Sequence, residues 1–105
     1  MILNSLKQEL EKAKKLHQSG NLNEAIKIYL KLVKAENSNP EINFYLGTAY
    51  LQLKDYENSI IYLEKCLKYQ TSNPIVINNL GIAFKEIRNL EKASFYFNTA
   101  IKLKK

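Results

Sequence analysis

Apolar residues recur along this chain at the spacing of helices rather than strands. Leu46, Ala49, Tyr50 and Leu53 fall at i, i+3, i+4 and i+7, one face of a helix, and Ile60, Leu63 and Leu67 make a matching stripe further on. The same reading along the whole chain predicts six helices, over 5–18, 22–36, 40–53, 56–70, 74–87 and 90–104, and no strand. Only three Gly and two Pro punctuate the sequence, too few for the turns a β protein needs.

The pattern repeats every 34 residues. Asn39-Pro40 returns as Asn73-Pro74, and Leu46-Gly47-x-Ala49-Tyr50 as Leu80-Gly81-x-Ala83-Phe84. Asn21, Asp55 and Asn89 are spaced alike, as are Ala25, Ser59 and Ala93, and Lys34, Lys68 and Lys102. Asn before Pro is a helix start, with the amide capping free N–H groups and the proline at the first helical position. Asn21, Asp55 and Asn89 suit the caps of the second helices, Gly20 suits a left-handed helix terminus, and Ser5-x-x-Gln8 offers a capping box for the first helix. Gly47 and Gly81 sit inside helices, where glycine costs about 1 kcal/mol against alanine. Accepted twice at one repeat position, that cost implies close packing, expected against Ser59 and Ala93 of the sister helices.

A 34-residue helix–turn–helix carrying Leu-Gly-x-x-Tyr, followed by a small, an aromatic and another small residue, resembles the tetratricopeptide repeat. The resemblance runs over 6–39, 40–73 and 74–105. It departs from the pattern in the first unit, where Lys12 and Ala13 replace leucine and glycine, and at the tryptophan site, held by Asn43 and Ile77. It implies an all-α fold: three tandem helix-turn-helix repeats in a short right-handed α-solenoid, a single repeat domain over 1–105 with no separate capping helix.

Charge and composition narrow the function. The net charge of +6 is shared unevenly, +3 over 6–39, −1 over 40–73 and +4 over 74–105, where Lys102, Lys104 and Lys105 close the chain. Basic groups are not gathered on one face with stacking aromatics between them, so nucleic acid is not an expected partner. The leader Met1 to Leu6 carries no basic group, and no 18-residue apolar run exists. With one cysteine, Cys66, at a packing site, a disulfide and a thiolate metal cluster within the chain are both excluded, and the cytoplasm is the expected compartment, with no membrane partner. His17 is the single histidine, with no nucleophile in a motif beside it, and no phosphate loop is present, so neither catalysis nor a metal or cofactor is expected.

Tyr29, Tyr50, Tyr56, Tyr62, Phe84 and Phe97 stand at sites the repeat reserves for packing. The other stripe of each leading helix is more informative, because the resemblance places it along a concave groove. It reads Lys7, Leu10, Glu11, Lys14 and Gln18, then Glu41, Phe44, Tyr45, Thr48 and Gln52, then Ile75, Asn78, Asn79, Ile82 and Glu86. Aromatics beside amides suit peptide recognition, so Lys14, Phe44, Tyr45, Thr48, Gln52, Asn78, Asn79 and Ile82 are the candidate groove residues, Tyr45 foremost. Asn79 resembles the groove asparagine of repeats attached to O-linked sugar transferases, without the ladder. The clamp of chaperone-binding members is not matched, since Leu10, Lys14, Tyr45, Ile75 and Asn79 stand at its places. The expected function is a protein-interaction module that takes a peptide or partner helix. The alternatives are the N-terminal repeat segment of a larger enzyme, such as a sugar or sulfate transferase, and a self-assembling module. For the last, Leu80, Phe84, Phe97, Ala100 and Ile101 form an apolar C-terminal edge through which two copies would pair.

Overall fold

The computed structural model describes residues 2–70 and 72–104, with side chains from Ser5 onward; Met1 and Lys105 lie outside the described residues. Six helices follow one another: α1 Ile2–Gln18, α2 Leu22–Ala35, α3 Pro40–Gln52, α4 Tyr56–Tyr69, α5 Pro74–Glu86 and α6 Leu90–Leu103. There is no strand among the described residues. The 34-residue period therefore places five helix starts correctly. α1 begins earlier than its polar pattern suggested, and Ser5 lies inside it and caps nothing.

Capping chemistry sets most of the starts. The Asn39 side chain accepts from the N–H groups of Glu41 and Ile42, and Asn73 accepts from those of Ile75 and Val76. Asp55 and Asn89 each accept one, from Asn58 and Lys92. Asn21 makes no such bond; its amide donates to the Ser19 hydroxyl instead. The turn before each second helix passes through left-handed backbone. Gly20 adopts φ 87°, but Lys54 and Arg88, at the equivalent places, adopt 65° and 66° without being glycine.

Within each repeat the two helices approach closely. A Cβ on Gly47 would lie 2.7 Å from Leu63, and one on Gly81 the same distance from Phe97. The close approach is thus to the residue one turn beyond Ser59 and Ala93, because the larger side chain there lies flat across the bare helix. Ser59 adds a buried hydrogen bond, its hydroxyl donating to the Gly47 carbonyl at 2.8 Å. Asn43, at the tryptophan site, is fully buried; its amide donates to the carbonyls of Asn37 and Asn39 and so ties the inter-repeat loop to α3.

Two core clusters meet along α3. The first gathers Ala13, Ala25, Tyr29, Leu32, Ile42 and Leu46, with Tyr45 packed against it. The second gathers Leu63, Cys66, Val76, Leu80 and Phe84, with Phe44 packed against it. Tyr50 stacks on Tyr62 at 5.9 Å, and 34 residues later Phe84 stacks on Tyr96 at 5.6 Å, so these aromatics pack as their repeat positions require. The backbones of the leading helices approach one another, α1 with α3 and α3 with α5, whereas those of the second helices stay apart and α4 and α6 meet through long side chains such as Glu64 and Tyr96. The stack therefore curves with the leading helices on its inner side.

Candidate functional site in the groove

The inner face is not uniform, because one side chain crosses into it from behind. In the second and third repeats the α4 and α6 residues facing the glycines are Leu63 and Phe97, which end in hydrocarbon. At the same place in α2 stands Tyr29, fully buried, whose ring lies behind the pocket between α1 and α3 with its hydroxyl reaching His17 at the groove's edge. That hydroxyl lies 3.0 Å from His17 Nδ1, and His17 Nε2 lies 2.6 Å from Gln52 Oε1. A carboxamide oxygen only accepts, so in the neutral ring Nε2 carries the proton and Nδ1 accepts from Tyr29. Three helices are thereby tied at one point.

Tyr45 completes the cluster. Its ring stacks on Tyr29 with centroids 6.0 Å apart and 11° between planes, and Phe44 meets it edge-on at 5.3 Å. Lys14 Nζ lies 5.2 Å from the Tyr45 centroid and 3.3 Å from a Glu11 carboxylate oxygen, with Glu41 at 4.0 Å. The Glu11 hydrogen bond holds Lys14 above the usual lysine range despite some desolvation. Burial, with the nearby Tyr45, pushes the Tyr29 hydroxyl far above the usual tyrosine range. Tyr29 therefore stays a neutral donor and Lys14 stays a cation under all ordinary conditions.

These residues border an open pocket of about 340 Å³, lined by Lys14, His17, Gln18, Tyr29, Phe44, Tyr45, Thr48 and Gln52. Five of the eight groove residues expected from sequence thus converge. Asn78, Asn79 and Ile82 do not; they lie on α5, further along the inner face, Asn78 exposed and the other two half-buried. Tyr45 and Phe44 are half-buried seam residues as well as groove residues, since each packs against a core cluster. Sequence reasoning missed His17 and Tyr29 as groove residues. The available signal was Tyr29 itself, a hydroxyl-bearing ring where the other repeats have Leu63 and Phe97.

The residues expected at the C-terminal edge differ in exposure. Leu80, Phe84 and Ala100 are buried, because α5 and α6 close on each other, and Phe97 is half-buried against Gly81. Of the five, Ile101 alone stays in water, 60% exposed, and Leu90 joins it at 66%.

Among the described residues no helix is long and apolar enough to cross a membrane. A family model described as TPR repeat matches residues 13–54, and one described as tetratricopeptide repeat matches 40–73 and 76–105. No curated protein matches the sequence. Among solved structures, the crystal structure of MamA superposes with a TM-score of 0.91 at 22% identity, over 96% of this chain and 59% of that one. The first TPR of Spaghetti (RPAP3) bound to HSP90 peptide SRMEEVD gives 0.86 at 23%, over 93% and 78%. The Yersinia enterocolitica type III secretion translocator chaperone SycD, in an alternative dimer, gives 0.87 at 19%, over 95% and 76%. At these identities the likeness is one of fold.

Proposed function

The chain belongs to the tetratricopeptide repeat family, and we propose that it is a non-catalytic interaction module whose inner groove takes an extended peptide or a partner helix. The observation that carries this is the α1–α3 pocket, where an aromatic floor of Tyr45 and Phe44 is bordered by Tyr29, His17, Thr48 and Gln52. An apolar side chain can bury on the rings while hydroxyl and amide groups hydrogen-bond the peptide backbone, the division of labour that extended-peptide recognition uses. Asn78, Asn79 and Ile82 extend the same mixture of amide and apolar surface along α5. The neighbour that holds SRMEEVD supports a groove that accepts peptides, though the clamp residues differ here.

Selection of displayed random peptides on the purified protein tests the proposal. Enriched peptides are expected to bind at micromolar strength and to lose about tenfold, roughly 1.4 kcal/mol, on Asn79→Ala or Thr48→Ala. Peptides that ignore both substitutions, or no enrichment at all, would overturn it.

A second reading, end-to-end pairing, rests on Ile101 and Leu90. Their equivalents in α4, Leu67 and Tyr56, are half-buried, whereas these stand in water. The seam is already part polar, since Ser94 and Asn98 replace Ile26 and Leu30 of the first repeat, which limits how tightly copies would pair. Light scattering of the protein beside Ile101→Glu tests it: a dimer dissolved by the substitution supports pairing, and a monomer in both excludes it.

A further inference from the structure

The outer side of the molecule, formed by the second helices, carries a pattern that neither the groove nor the stack uses. Positions 34 apart occupy equivalent places there. One holds Lys27, Ile61 and Phe95, another Ala35, Tyr69 and Leu103, and between them lie Lys31, Lys65 and Thr99, and Lys34, Lys68 and Lys102. The Tyr96 hydroxyl, donating to Glu64 at 3.5 Å, joins α6 to α4 and makes their backs one surface.

On that surface Ile61 is 49% exposed, Tyr69 50%, Phe95 63% and Leu103 43%. A missing neighbouring repeat does not account for them: Ile61 and Tyr69 belong to the second repeat and stay exposed with the third in place. The lysines among them are free of carboxylates. Lys65 Nζ lies 5.5 Å from the Tyr62 centroid and Lys68 Nζ 5.7 Å from that of Tyr69, while no ion pair among the described residues involves Lys31, Lys34, Lys65, Lys68 or Lys102. The acidic groups of α2, α4 and α6 sit in their first turns, at Glu24, Glu57 and Glu91, apart from Glu64, which Tyr96 engages. The last turns of α4 and α6 therefore set Tyr69 and Leu103 beside Lys68 and Lys102, with Ile61 and Phe95 earlier on the same helices. The sequence alone did not lead one to expect this gathering of basic and apolar groups; Glu64, and Glu36 beside Tyr69, are the acids nearest them.

We propose that this outer side adsorbs to an anionic lipid bilayer. Phe95, Leu103, Ile61 and Tyr69 enter the boundary between headgroups and acyl chains, and Lys65, Lys68 and Lys102 pair with lipid phosphates and carboxylates. The charge is complementary, and the apolar groups project from helix backs, which suits a surface that deforms around them. Adsorption would leave the groove facing water, so the module could hold a peptide while resting on a membrane.

The chain contains no tryptophan, so Phe95→Trp is a clean reporter of insertion. The probes are phosphatidylcholine vesicles with and without phosphatidylserine, read by co-sedimentation and by emission. Phosphatidylserine vesicles are expected to bind the protein and shift the Phe95→Trp emission to shorter wavelength. Phosphatidylcholine vesicles should do neither. Lys68→Glu with Lys102→Glu should weaken partitioning at least tenfold, taking each lysine near the surface as worth about fivefold. Phe95→Asp should abolish the apolar part while circular dichroism shows the helices intact. Asn79→Ala, in the groove, should leave vesicle binding unchanged. No binding, binding without an emission shift, or binding that ignores the outer-face substitutions overturns the proposal. So does binding to polyglutamate but not to vesicles, which would assign the face to acidic protein segments instead.

Discussion

The two helical glycines face different neighbours, and substituting alanine at each separates close packing from helix propensity. In an ordinary helix Gly→Ala stabilises by about 1 kcal/mol. At Gly47 the new Cβ would lie 2.7 Å from both Cγ and Cδ2 of Leu63 and 3.1 Å from its backbone nitrogen. Leu63 is fully buried, so its branch point and backbone have nowhere to retreat except by moving α4 as a body. Overpacking of that kind costs about 1–3 kcal/mol. Moving α4 also stretches the 2.8 Å bond from Ser59 to the Gly47 carbonyl, worth about 1 kcal/mol. Set against the propensity gain of about 1 kcal/mol, Gly47→Ala is expected to destabilise by about 1–3 kcal/mol. At Gly81 the nearest atoms are ring carbons of Phe97 alone, and that ring is half-buried in the last repeat. It can turn aside, so Gly81→Ala should fall within about 1 kcal/mol of the parent. Urea titration followed by far-ultraviolet circular dichroism measures both, and Leu63→Ala should cost less in the Gly47→Ala background than alone. A Gly47→Ala protein as stable as its parent would refute the steric reasoning, and equal losses at the two sites would refute the distinction between them.

Other expectations follow from the same contacts. Lys54→Gly and Arg88→Gly should each raise stability by up to about 1 kcal/mol in thermal unfolding, because both native residues sit in left-handed backbone that glycine adopts freely. Tyr45→Ala should lose about 2 kcal/mol of stability as well as peptide affinity, since the Tyr29 stack goes with it, whereas Asn79→Ala should lose affinity alone. Burial raises the pKa of Tyr29, so the unfolded chain ionises first; stability is intact below about pH 10 and falls above it by up to about 1.4 kcal/mol per pH unit. Denaturant titrations across alkaline pH should show that decline, and Tyr29→Phe should make it shallower.

Much of this was legible in the residues. Asn39-Pro40 and Asn73-Pro74 mark helix starts by chemistry that acts over three residues, and recurrence at 34 fixes the rest of the frame. What stayed hidden depends on contacts between distant positions. His17 finds Tyr29 twelve residues on and Gln52 thirty-five residues on, so its place in the groove appears only once α1, α2 and α3 are packed. The burial of the C-terminal edge depends on distant positions for a related reason: Leu80, Phe84 and Ala100 are covered by packing of α5 against α6, which no local spacing reveals. Lys54 and Arg88 concealed their left-handed turns because the signal sought there was glycine.

Phe44 and Tyr45 are consecutive residues whose rings meet edge-on, yet one packs into the second core and the other onto the first. The dividing line between the two cores thus runs through a single peptide bond in the middle of a helix. Fraying at either end of the molecule cannot stop at a repeat boundary there, because α3 has no side that belongs to one repeat only. The three repeats should melt as one cooperative unit, and a peptide bound on that ring pair would be felt as added stability by all six helices at once.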